Sequence, residues 1–377
     1  MTSSALTPST ATARTDEQPR SAAMALTLRA ATDADRADWT AFVASRAEGD
    51  LLQSWAWGEA GANEPGERWA RLLVADAGGH IRGVAQVLSR ATSFGRSVLY
   101  VPHGPLWDRD GDDAAEALAR LLTGLKAHAR DDKGIVLKLD PRGSGDAAAD
   151  AALRRALLTT ARPATHDLQA PTTRTIDLQA DDDPVAGWSK DARAEARRAG
   201  REGTRVRIDS DGDAGSLDAF HALLAETSER QGFRIRTRDY LGRLAAPLVA
   251  SGDWFLALAE HEGTPLAGAV APRTGDRAFY LYAASTRDKE LARKRGPYAA
   301  MAELQRALRE AGTASLDLWG VREPDDETVD ASWEGFSVFK RRFGGTPLRH
   351  PGTFDMVIDP TWHRIRDWRE RLRRIVG

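Results

Sequence analysis

The chain repeats itself at long range. From Arg68, RWARLLVADAGGHIRGVAQVL runs as Trp69, an apolar strand, a Gly-rich turn and a second strand; from Asp253, DWFLALAEHEGTPLAGAVA does the same from Trp254. After each hairpin come a further strand (97–106 and 277–285), a helical stretch (113–130 and 296–311) and an apolar strand (134–142 and 314–322). A unit of hairpin, strand, helix and strand written twice specifies two mixed α/β domains of like build. We expect the first over 25–165 and the second over 166–377, the latter ending in a basic helix, with the crossing where Pro and Thr break the pattern at 163–173.

Composition agrees with that plan. A chain of 377 residues, 42% hydrophobic and 29% charged, can fill two cores. With no cysteine there is no disulfide, thiolate nucleophile or cysteine metal ligand. The eight histidines form no metal-ligand spacing and no phosphate-cradling Gly-rich loop is present, so neither metal nor organic cofactor is expected. No apolar run approaches the roughly 20 residues that span a bilayer. The expected location is the cytoplasm, with peripheral contact at the inner face of the membrane left open. Residues 1–24, rich in Ser, Thr, Ala and Pro, read as a disordered leader, with Met24 a candidate start.

A net charge of −2 hides local segregation. Lys190, Arg193, Arg197 and Arg201 recur at steps of three and four, a basic stripe along one helix face suited to a phosphate-bearing partner or simply to solvent. A second basic segment, RIRDWRERLRR, covers 364–374. Near the end of the second domain, WEGFSVFKRRFGG sets Phe336, Phe339 and Phe343 at helical spacings with Lys340 among them. An ammonium held against apolar surface stabilises a developing anion better than one in water. The same spacing also fits an amphipathic helix whose lysine reaches solvent; spacing leaves both readings open.

The order of elements resembles the acetyltransferase-type GNAT fold, present twice: two tandem GNAT-like domains, each a mixed, mostly antiparallel sheet flanked by helices. Together with LLQSWAWGEA (51–60), LYVPHGPLWD (99–108), WSKDARAEARRA (188–199), TSERQGFRIRTRDY (227–240), YLYAAS (280–285) and WEGFSVFKRRFGG (333–345), it resembles the FemABX family, aminoacyl-tRNA-dependent transferases that build the interpeptide bridge of peptidoglycan. No long heptad run is present, so the chain resembles members lacking an inserted helical hairpin.

The resemblance implies roles. Phe339 and Lys340 match the family's catalytic pair; Arg236 and Tyr240 match positions that bind the precursor's phosphates and sugar; Tyr280 and Tyr282, alternating on a strand and so sharing one face, match channel-lining tyrosines. Asp140 resembles a carboxylate of the cleft. The implied reaction moves an amino acid from aminoacyl-tRNA to the side-chain amine of the diamino acid in a peptidoglycan precursor, nucleotide- or lipid-linked. The pattern departs at Ala60, where members often carry a lysine; Arg68 or Arg71 could supply its charge. His103 and Asp108 are candidates to tune the acceptor. Two other classes stay open. RKRGPYAA (293–300) loosely resembles the pyrophosphate loop of a CoA-dependent N-acyltransferase, failing at Tyr298, and the basic stripes alone would suit a non-catalytic RNA-binding protein.

Overall fold

The computed structural model describes residues 26–62, 64–231, 235–326 and 329–376, with backbone only at 230, 231 and 369–376. The leader at 1–24 and residues 232–234 of the TSERQGFRIRTRDY motif lie outside the described residues.

Both repeats fold as their pattern dictates. In the first unit the hairpin strands Glu67–Ala75 and Ile81–Ala91 are antiparallel, and Ser97–Val101 adds antiparallel to the latter. Helix Ala114–Asp131 then crosses over and returns the chain as Gly134–Leu139, parallel to Ser97–Val101. Its Ala117, Leu118, Leu121, Leu122 and Leu125, at helical spacings, bury against Val87, Leu99 and Leu137 of the sheet. In the second unit Leu256–His261 and Thr264–Val270 form the hairpin, Tyr282–Ser285 pairs antiparallel to it, helix Gly296–Glu310 crosses over, and Ser315–Gly320 runs parallel to Arg277–Phe279.

The units differ at one strand. Leu281 N–H donates to the Val270 carbonyl at 3.0 Å, whereas Tyr280 N–H donates to the Asp317 carbonyl at 2.8 Å. The strand thus changes sheets between adjacent residues, and the second unit divides into a four-stranded and a five-stranded sheet.

The C-terminal segment departs from the expected division. Phe354–Val357 pairs antiparallel with Gly134–Leu139 of the first unit, Phe354 opposite Leu139, and its Phe354 and Met356 bury in the first core. Helix Pro360–Val376 follows it there: the Trp362 ring lies 5.4 Å from Phe94 and buried His363 sits by Asp355. The basic helix assigned to the second domain therefore docks on the first. An alternating apolar strand signals that it needs a sheet edge but not which edge.

Candidate active site

Where the two sheets of the second unit part, a cavity of about 900 Å³ opens, bounded by Gly268, Tyr280, Leu281, Ala300, Phe336 and Lys340. The short helix Glu334–Arg341 forms one wall and is clamped at the end of strand Ser315–Gly320. Glu334 pairs with Arg322 at 3.0 Å and Arg341 at 2.5 Å, and the buried Ser337 hydroxyl accepts from Arg322 N–H at 2.8 Å. The three phenylalanines do not share one buried face. Phe343, past the helix end, is 1% exposed and packs 4.6 Å from Trp188. Phe339 lines the cavity against Tyr298 at 5.3 Å, and Phe336 lies 37% exposed at the rim.

Lys340 lies on the cavity wall. Its Nζ donates to the Gly320 carbonyl at 3.0 Å and sits 5.2 Å from the Phe336 ring and 5.8 Å from the Tyr280 ring. Burial pushes its pKa down to about 8, with Asp317 pulling the other way. An ammonium has three donors, of which this one hydrogen bond commits one. Burial likewise raises the Tyr280 phenol.

Arg236, Tyr240 and Tyr282 form a second cluster, across the seam between the units. The Arg236 guanidinium lies 4.6 Å from the Tyr240 ring and 3.7 Å from Glu64 of the first unit, on which Arg243 also closes. Tyr240 is 1% exposed and meets Trp57 edge-on at 6.4 Å. The expectation that Tyr280 and Tyr282 share a face fails at the strand break: Tyr280 belongs to the core that holds Phe343, Tyr282 to the one that holds Tyr240. Asp140 is buried, accepting from the Tyr100 hydroxyl at 2.9 Å, with burial raising its pKa.

The basic stripe starts beside the catalytic candidate. Ser189 N–H, at the cap of helix Lys190–Arg201, donates to the Arg342 carbonyl at 2.8 Å, joining this helix to the one that carries Lys340. Lys190, Arg197 and Arg201 are exposed, while Arg193 turns inward to donate to the Ala186 carbonyl at 2.5 Å.

Three expectations near the first unit need revision. Ala60 is fully buried where helix Trp55–Gly61 packs against helix Arg238–Ala250, so a lysine there would meet core and not solvent. Arg68 is spent on Asp132, while Arg71 lies under that helix, 3.9 Å from the Trp55 ring, its pKa lowered to about 10 by burial. His103 is 5% exposed, with Nδ1 2.9 Å from Asp50. Asp108 pairs with Arg46 at 2.6 Å.

The sequence reading missed the charges beneath Lys340. Arg142 pairs with Asp50 at 2.6 Å and with Asp317, and all three are nearly inaccessible. An acid inside the apolar run SLDLWG was the available signal for Asp317, since such a residue is buried only with partners.

The comparisons agree with this architecture. A family model described as an acetyltransferase (GNAT) domain matches residues 188–341. Lipid II:glycine glycyltransferases of Staphylococcus epidermidis and Staphylococcus aureus are each 25% identical to the chain, over 88% of it and 94% of the relative. A crystal structure of FemX shares the fold at a TM-score of 0.77 and 21% identity, covering 90% of this chain and 99% of that one. A tandem GNAT protein from the clavulanic acid biosynthesis pathway does so at 0.53 and 14%, covering 89% and 99%. Duplicated GNAT-like units, motifs running the length of both, and glycyltransferase relatives matched nearly end to end lead to one conclusion: the chain is similar throughout to FemABX-type transferases and is an aminoacyltransferase.

Proposed function

We propose that this protein transfers an amino acid from aminoacyl-tRNA to the side-chain amine of the diamino acid in a peptidoglycan precursor, building the interpeptide bridge. The observation that carries the reading is the placement of Lys340, an ammonium partly desolvated on the wall of a cavity large enough for the reacting ends of two substrates. The neutral amine attacks the ester carbonyl, forming the C–N bond; the tetrahedral oxyanion collapses and the C–O bond to the ribose breaks. Lys340 stabilises the oxyanion and the departing ribose oxygen. With a pKa near 8 it gives the leaving oxygen a proton and regains one shed by the amine, so no proton is gained or lost overall. Phe339 shapes the wall beside it.

Support for tRNA comes from the exposed Lys190, Arg197 and Arg201, whose helix is joined to the Lys340 helix. Support for the precursor comes from relatives named for lipid II and from Arg236 and Tyr240 at the seam, with Tyr282 beside them; a guanidinium suits diphosphate because its fork of donors meets two oxygens at once. Tyr280 contacts the reacting groups and Asp140 supports the cleft from the first unit. We place the enzyme in the cytoplasm, meeting lipid-linked acceptor at the membrane surface; no described helix is long and apolar enough to cross a membrane. No organic cofactor or metal is invoked. The CoA reading gains nothing from the structure, since Tyr298, at the turn in question, accepts from Arg342 at 2.7 Å and packs on Phe339.

The test incubates purified protein with a panel of charged tRNAs and each precursor form, and weighs the products. A precursor heavier by one amino acid supports the reading. Acetyl transfer from acetyl-CoA, or equal binding of charged and uncharged tRNA without any transfer, overturns it.

A further inference from the structure

The ion pairs under Lys340 take no part in the chemistry above, yet they converge on it. We infer that Asp317 is a positioning residue for Lys340: tied to Arg142 of the first unit, it fixes the turn at Trp319 that aims the Gly320 carbonyl at the lysine ammonium. This rests on the reading of Lys340 as the catalytic cation.

Asp317 is 3% exposed and every oxygen is engaged. Oδ1 accepts from Trp319 N–H at 2.6 Å and from the Thr173 hydroxyl at 2.5 Å, and Oδ2 accepts from Arg142 Nη2. The strand it sits on bulges just beyond it. Asp317 lies opposite Thr175 and Gly320 opposite Thr173, so Leu318 and Trp319 face the single residue Arg174. Trp319 takes φ 59°, a left-handed conformation that a bulky side chain avoids unless its surroundings impose it. Its ring is held 5.4 Å from His103 and 6.1 Å from Phe279.

Gly320 follows in a space with no room to shift. A Cβ there would come within 2.6 Å of Trp333 and 2.7 Å of Ala170. Its carbonyl is the one that holds Lys340 Nζ. The line runs from Asp50 through Arg142 and Asp317 to the bulge and the lysine, so the first unit, none of whose described residues lines the cavity, sets where the ammonium stands.

Asp317 is also the charged group whose field reaches Lys340. Arg142, His103 and His350 line the small space around Asp317 with Trp319 and Gly320. The Tyr280 and Phe336 rings face the ammonium, and on its own helix Glu334 is spent on Arg322 and Arg341. Buried ion pairs contribute little net stability, which makes a role in geometry the better account of these.

The experiment measures transfer by full-length Asp317→Asn against pH, and titrates Lys340 by NMR in both proteins after carbon-13 lysine labelling. The chain has only seven lysines, and Lys340→Met assigns the signal. We expect kcat to fall about tenfold with KM for both substrates unchanged, and the alkaline limb and the Lys340 titration to move down together by about half a unit or more. Should Asp317→Asn not fold, Thr173→Val, which keeps the ion pair but removes one hydrogen bond to Asp317, is expected to lower kcat by about threefold, again with KM unchanged. Lower thermal stability with kcat, limb and Lys340 titration all as in the parent overturns the proposal and leaves Asp317 a structural residue. If the parent transfers no amino acid at all, the functional reading falls, and the NMR titration still decides whether Asp317 governs Lys340.

Discussion

The third strand of each unit comes from the same place in the repeat and does different work. In the first, Ser97–Val101 pairs on both sides with the same residues: Leu99 meets Ser89 on one flank and Leu137 on the other. In the second, Arg277–Phe279 serves one sheet and Tyr282–Ser285 the other. The first unit stays closed around Leu99, which is fully buried, while the second opens a cavity where the strand lets go. A duplicated fold can thus keep one copy as a scaffold and turn the other into a site by shifting backbone hydrogen bonds at two residues, with the N–H of each still bonded.

The largest effect that would test this division is at Lys340. Lys340→Met should fold and bind precursor, yet turn over slower by a factor on the order of 10² to 10³, as when one transition-state donor is lost. Near-normal turnover would leave the open unit without its chemistry. Next comes pH: with a pKa near 8, Lys340 is a cation below that value and neutral above it, so kcat should hold through neutrality and fall by up to about tenfold per unit on the alkaline side. A rate that keeps rising well above pH 8 would mean that the ammonium is not the working form.

In the closed unit, Leu99→Ala should cost about 2–5 kcal/mol in denaturant unfolding while kcat per folded molecule stays put; a matching loss of kcat would show that the scaffold is no mere scaffold. Gly320→Ala, whose added carbon would press on the Trp333 ring and the Ala170 side chain, should lower stability by about 1–3 kcal/mol and displace Lys340, cutting kcat as well. The smallest effect is expected from Arg197→Gln. If that side chain meets a tRNA phosphate, the salt dependence of tRNA binding should flatten by about 0.7–0.9 in slope. An unaltered slope would move the tRNA path elsewhere.

Local pattern made much of this legible. Trp69 and Trp254 mark the two hairpins, and the leucines of the crossover helices fall at helical spacing against their sheets, so both units could be read from periodicity. Lys340 and Phe339 are legible through their motif, and both stand on the cavity wall. What periodicity could not give was partnership. Alternation put Tyr280 and Tyr282 on one face, but the strand changes sheets between them, and long-range hydrogen bonds to Val270 and Asp317 decide that. Phe354–Val357 pairs with a strand more than 200 positions earlier, which local pattern could not show, and the C-terminal helix follows it to the first unit.

The sequence by itself determined two like α/β units, the helix that carries Lys340 and the basic stripe, because these depend on residues a few positions apart. Only the tertiary structure decided that Arg142 and Asp317, 175 positions apart, would meet under that lysine. It also decided that His103 would meet Asp50 and that Asp108 would meet Arg46. Burial and pairing of charge are properties of the space a side chain ends in, and that space is built by segments distant along the chain.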